Sequence, residues 1–167
     1  SNDKPFFFGF NYGGENDQGG WDSWVVKSSR QWEREVPNAQ YGFGTEFYKY
    51  FVFGDPNWDY ENYDFSTWRE DTAEISRVVD ATETDLTEFR DRGGKIIYWT
   101  GWSDLALTPL GTIDYYERLE MDDPSARDYA RLYMLPGVLH CASGPGPDKV
   151  DWVEVIQAWV EEGRAPE

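Results

Sequence analysis

The feature that most constrains this chain is the order of regular elements in its second half. Asp85 to Arg92 reads as a short helix with Leu86 and Phe89 on one face, and Gly93 follows as its cap. Lys95 to Thr100 is rich in β-formers and reads as a strand. Gly111 to Met121 predicts a helix with Ile113, Tyr116 and Leu119 facing inward. Tyr129 to Leu135 is a second strand, stopped by Pro136-Gly137. Val150 to Glu162 predicts an amphipathic helix in which Val153, Ile156 and Val160 share a face, with Trp152 and Trp159 beside it. Asp148 is the expected cap of that helix, Asp151 adds negative charge to its first turn, and Gly163 and Pro166 end it. A helix crossing between two strands implies parallel pairing with a right-handed connection. The expected class is therefore α/β, parallel strands with flanking helices.

Residues 1–84 are irregular and aromatic. Phe6-Phe7-Phe8 opens the segment, and Gly13-Gly14 and Gly19-Gly20 punctuate it. Tyr48 to Phe53 reads as a strand or a buried helical turn, and Asp55 to Asp64 as an acidic aromatic loop. No linker or repeat divides the chain, so residues 1–167 are expected to be one domain or fragment. The formal net charge of −17 disfavours nucleic acid and anionic membranes as partners, because phosphate binding needs clustered Lys and Arg. It suits a salty or extracellular setting. No apolar run approaches the roughly 18 residues a membrane span requires.

His140 is the only histidine and Cys141 the only cysteine. Imidazole is the side chain that trades protons near neutral pH, so any such chemistry here falls to His140. Ligand sites in parallel sheets lie beyond the carboxyl ends of the strands. Asp104 follows the first strand and His140 the second, so the topology puts both on one edge. There a carboxylate can orient the imidazole. A Cys141–His140 nucleophile pair is disfavoured, since adjacent residues at a strand end point apart. Ser103 and Ser143 are the in-chain hydroxyls nearest these residues in sequence. Ser103 adjoins Asp104 rather than a base, and Ser143 lies in a Gly/Pro loop. The run Asp55-x-Asn57-x-Asp59-x-Glu61 begins like a calcium loop, but Tyr60 and Ser66 stand where Gly and Glu are needed. One His beside one Cys gives too few ligands for zinc. No metal site is expected. An odd cysteine in a secreted protein suggests a partner elsewhere.

Four ordered segments resemble the tannase and feruloyl esterase family. Gly93–Asp104 (GGKIIYWTGWSD) resembles the stretch holding its catalytic aspartate. Ile113–Glu117 (IDYYE) resembles the helix that follows, Arg131–Cys141 (RLYMLPGVLHC) its histidine segment, and Ala158–Pro166 (AWVEEGRAP) its C-terminal end. The match is dense over residues 85–167 and looser before them. The resemblance implies an α/β-hydrolase fold, a Ser-His-Asp triad and hydrolysis of esters of aromatic, phenolic acids. It makes Asp104 the triad acid and His140 the general base, and pairs Cys141 in a disulfide with a cysteine just before the nucleophilic serine. That serine and its cysteine lie upstream in the family. No G-x-S-x-G elbow occurs here, so this chain supplies no nucleophile. The family's calcium-binding lid also precedes this region, so no cofactor is expected of it. Ala142-Ser143-Gly144 stands where the family usually has more glycine, and Thr100 where many members carry histidine.

The chain opens on Ser1-Asn2 without Met, and the expectation is the C-terminal portion of a tannase-like esterase, secreted or periplasmic and inactive alone. Its expected partners are the substrate, the N-terminal remainder of the same protein, and a second copy through an exposed sheet edge. Two rival classes stand beside this reading. One is a non-catalytic carbohydrate- or polyphenol-binding module, suggested by Trp21, Trp24, Trp32, Trp58 and Trp68. The other is a glycoside hydrolase with paired acids such as Glu15 and Asp55, which would need to lie about 5–10 Å apart.

Overall fold

The computed structural model describes residues 7–26 and 38–167; Phe6 and Trp32 lie outside them. The chain divides into two compact units. One combines the segment up to Trp21 with Glu83–Glu167, and the other is Asp22–Thr82. The division does not fall at residue 84: the opening glycine-rich segment belongs with the regular second half.

In the first unit, β1 (Ile96–Gly101) and β2 (Ala130–Leu135) form a parallel pair, in register from Ile96 with Ala130 to Gly101 with Leu135. Successive residues of a strand face opposite sides. Tyr98 packs its ring against Tyr115 and Tyr116 of the crossover helix Pro109–Asp122. Its neighbour Trp99 stacks on Trp152 of the last helix, Trp152–Glu162, with centroids 5.7 Å apart. Each face of the pair therefore meets a helix, as a parallel sheet requires. Leu119 of the crossover helix is fully buried together with Ala126, Tyr129 and Ala130, with Leu86, Phe89 and Tyr116 packed around them. The short helix that supplies Phe89 is tighter than expected, Thr87–Asp91, because Asp85 closes its entry by accepting the Thr87 N–H.

The last helix departs from expectation in two ways. Its N-cap is Asp151, which accepts the Glu154 N–H at 3.0 Å; Asp148 instead accepts the Ser143 N–H at 2.8 Å. A cap must immediately precede the first helical residue, and that residue is Trp152, not Val150. Val153 and Val160 point outward, 72% and 59% exposed. The indole rings decide the rotation: Trp159 is buried, with Lys95 and Arg131 over its ring, and Trp152 lies on Trp99 and Tyr133. Burying two indoles removes more apolar area from water than burying two valines.

The second unit has little conventional core. Among its described residues only Ser23 and Ala39 are buried. Asn38 caps the helix Ala39–Phe47 by accepting the Tyr41 N–H, and its amide donates to the Val25 carbonyl. The helix runs on into a π-helical turn, Tyr48–Val52, where a strand or buried turn is expected. Tyr50 and Phe51 are exposed there, on a turn that continues the preceding helix. Cohesion comes instead from Tyr48, Phe53, Trp58 and Tyr63, whose six pairwise centroid distances all fall between 5.0 and 6.1 Å. Burial, and then a hydrogen bond to Asp71, push the Tyr63 phenol up to about 12. The tryptophans expected as exposed platforms are part-buried against their own units. Trp21 lies against Phe10, Trp24 stacks on Phe43, Trp58 joins the ring cluster, and Arg69 covers Trp68.

Candidate active site

Two loops leave the carboxyl ends of the parallel strands and are laced together. Trp102 N–H donates to the Leu135 carbonyl at 2.8 Å, and Ser103 N–H to the Val138 carbonyl at 3.1 Å. Gly101 makes this approach feasible: a Cβ there would lie 2.2 Å from the Val138 oxygen. Leu105, next to Asp104, and Val138 and Leu139, just before His140, are themselves buried, so both loops are anchored by packing.

Asp104 and His140, 36 residues apart in sequence, meet there with Oδ2 3.0 Å from Nδ1. Asp104 is nearly sealed from solvent, 4% exposed, and its other oxygen accepts the Ala106 and Leu107 N–H groups at 2.8 and 3.0 Å. Three nitrogens converge on this carboxylate. A carboxylate can only accept, so the proton between the two residues sits on Nδ1, and in the neutral ring Nε2 is then the acceptor nitrogen. The His140 side chain is 31% exposed, while its partner is sealed.

Cys141 is a free, exposed thiol with Sγ 3.6 Å from His140 Nε2. The expectation that neighbouring side chains point apart fails here. It assumes extended backbone, whereas Cys141 adopts φ 61°, which turns its side chain back over the imidazole. Ser103 is buried, closed over by the glycine turn at Gly13 and Gly14. Asn11, from the same segment, donates to the Trp102 carbonyl. The opening segment thus braces the loop that carries Asp104. The residues give only a weak hint of this, two adjacent glycines in an aperiodic stretch. Ser143 is committed through its backbone, its carbonyl accepting from Leu139 and its N–H donating to Asp148.

The paired-acid alternative finds both carboxylates in local service. Glu15 accepts the Gly13 N–H, and that backbone contact holds it below the usual carboxylate range; Asp55 accepts the Asn57 N–H. Among the described residues no group of three or more His, Cys, Asp or Glu is arranged to hold a metal ion, and no helix is long and apolar enough to cross a membrane.

Several known proteins are similar to this chain. The sequence is 53% identical over 87 residues to mono(2-hydroxyethyl) terephthalate hydrolase of Piscinibacter sakaiensis, covering 52% of this chain and 14% of that one. It is 30% identical over 145 residues to feruloyl esterase C of Talaromyces stipitatus, covering 76% of this chain and 27% of the relative. The crystal structure of feruloyl esterase B from Aspergillus oryzae superposes with a TM-score of 0.66 at 25% identity, covering 78% of this chain and 29% of that one. The chain therefore spans less than a third of the length of each of these relatives. The fold is α/β-hydrolase-like, as these neighbours are. The profile of the tannase and feruloyl esterase family matches residues 9–167, nearly the whole sequence, and the chain belongs to that family.

Proposed function

We propose that this chain is the acid-and-base portion of a serine esterase that cleaves esters of aromatic, phenolic acids. The observation that carries the reading is the 3.0 Å contact between His140 Nδ1 and the sealed Asp104 carboxylate at the ends of two parallel strands. The serine comes from the rest of a longer protein. His140 Nε2 takes the serine proton as the oxygen attacks the ester carbonyl, and Asp104 holds the ring and stabilises the imidazolium. The imidazolium then protonates the departing alcohol. Water, activated by the same nitrogen, releases the acid from the acyl-enzyme. The oxyanion is held by backbone amides near the serine. This chemistry calls on no cofactor.

Cys141 takes a structural part in the same proposal. In a secreted or periplasmic setting it forms a disulfide with a cysteine just before the serine, and so ties the nucleophile to the base. The sheet has two strands among the described residues, which supports a reading in which the remainder of the protein adds strands beside them. Light scattering of the isolated chain tests whether a second copy takes that place.

The deciding experiment assays methyl ferulate with the isolated chain and with the longer protein that contains it. The expected result is turnover by the longer protein alone, abolished by His140→Ala. His140-dependent turnover by the isolated chain overturns the division of labour. An active longer protein indifferent to His140→Ala overturns the assignment of the base.

A further inference from the structure

The loop that carries His140 is held in a conformation its residues do not favour. Cys141 and Ser143 lie at φ 61° and 67°, a left-handed region that L side chains rarely occupy. Such a turn persists only where its surroundings over-determine it. Here Ser143 is gripped on both backbone groups. Its carbonyl accepts the Leu139 N–H at 3.1 Å, and its N–H donates to Asp148 Oδ2 at 2.8 Å. A further bond, from Gly146 N–H to the Gly137 carbonyl at 3.2 Å, closes the base of the loop. Asp148 is half-buried, and it does not serve the last helix, whose cap is Asp151.

We infer that Asp148 is a positioning residue for His140: by accepting the Ser143 N–H it holds the left-handed turn that keeps the imidazole on Asp104. The inference rests on the reading of His140 and Asp104 as the working pair. The role belongs to the acceptor oxygen, not to the negative charge. Asn at this position keeps an oxygen for the Ser143 N–H, and Ala does not. Glycine at position 143 would adopt the same backbone angles without strain and need the grip less.

The single histidine makes the test clean. In the labelled chain, NMR follows one imidazole Nδ1 proton and its exchange with water. Asp148→Ala is expected to speed that exchange by about tenfold or more, through local opening of the loop. Asp148→Asn is expected to match the wild type, and adding Ser143→Gly to Asp148→Ala is expected to slow the exchange again. A proton present in the wild type and unchanged in Asp148→Ala overturns the inference alone, as does equal damage by Asn and Ala. Absence of the proton from the folded wild type overturns the working pair itself, and this inference with it. Should Asp148→Ala fail to fold, the Ser143 amide of the wild type decides: slow exchange supports the grip, and exchange at the rate of an unstructured peptide overturns it.

Discussion

The two units solve cohesion differently. The first buries aliphatic and aromatic side chains between a parallel strand pair and its helices, with Leu119 and Ala130 wholly removed from water. Among its described residues the second buries almost nothing completely and relies on four mutually touching rings beside short capped turns. The difference teaches where a sealed polar pair can be held. Asp104 and His140 need loops that do not yield, and the buried Leu105, Val138 and Leu139 anchor theirs. A ring cluster open to solvent tolerates rearrangement, because no single contact in it is sealed.

Breaking the pair itself gives the largest effect. In the longer protein, Asp104→Asn should lower kcat/KM on phenolic esters by roughly 10⁴-fold, since Asn no longer selects the Nδ1–H tautomer. Trp58→Ala, confined to the ring cluster, should leave kcat within about twofold. Comparable losses from both would erase the distinction between the units.

Stability separates them next. Leu119→Ala removes a fully buried side chain and should cost about 3 kcal/mol by urea unfolding. Trp58→Ala removes a part-buried ring and should cost about 2 kcal/mol. Its hydrogen-exchange losses should stay within residues 38–82. Exchange losses that spread to β1 and β2 would show that the units melt together.

A smaller effect tests the last helix. Asp151→Ala should cost about 1 kcal/mol through the lost cap. Asp148→Ala should leave helix content by circular dichroism unchanged, because its carboxylate serves the His140 loop.

The last effect appears only in acid. Hydrogen bonds from the Ser125 hydroxyl and amide, then from Tyr129 and the nearby Arg90, hold Asp123 down to about 2. Its folded value is depressed, so its contribution is complete above the unfolded value of about 3.9 and disappears as pH falls through about 2. Asp123→Asn should flatten the fall in Tm between pH 4 and pH 2. An unchanged slope would put the acid sensitivity elsewhere.

Much of the first unit was legible because its signals are periodic and local. Ile, Leu and aromatic residues mark β1 and β2, Gly93 and Gly163 mark helix ends at φ 79° and 69°, and the crossover demands parallel pairing. From these alone Asp104 and His140 fall on one edge. The second unit was not legible. Its contacts join rings from Tyr48 to Tyr63 without a repeat, and a run of β-formers there continues a helix instead.

By itself, then, the sequence determined the order of strands and helices, their parallel sense and the pairing of Asp104 with His140, because backbone period and connection handedness are short-range constraints. Only the tertiary structure decided the rest. It chose Asp151 over Asp148 as the cap, turned Val153 and Val160 to solvent, folded Cys141 back over His140, and set Gly13-Gly14 against Ser103. Each of these outcomes depends on which of several competing groups finds its partner, and in a packed chain that choice is made by neighbours distant in sequence.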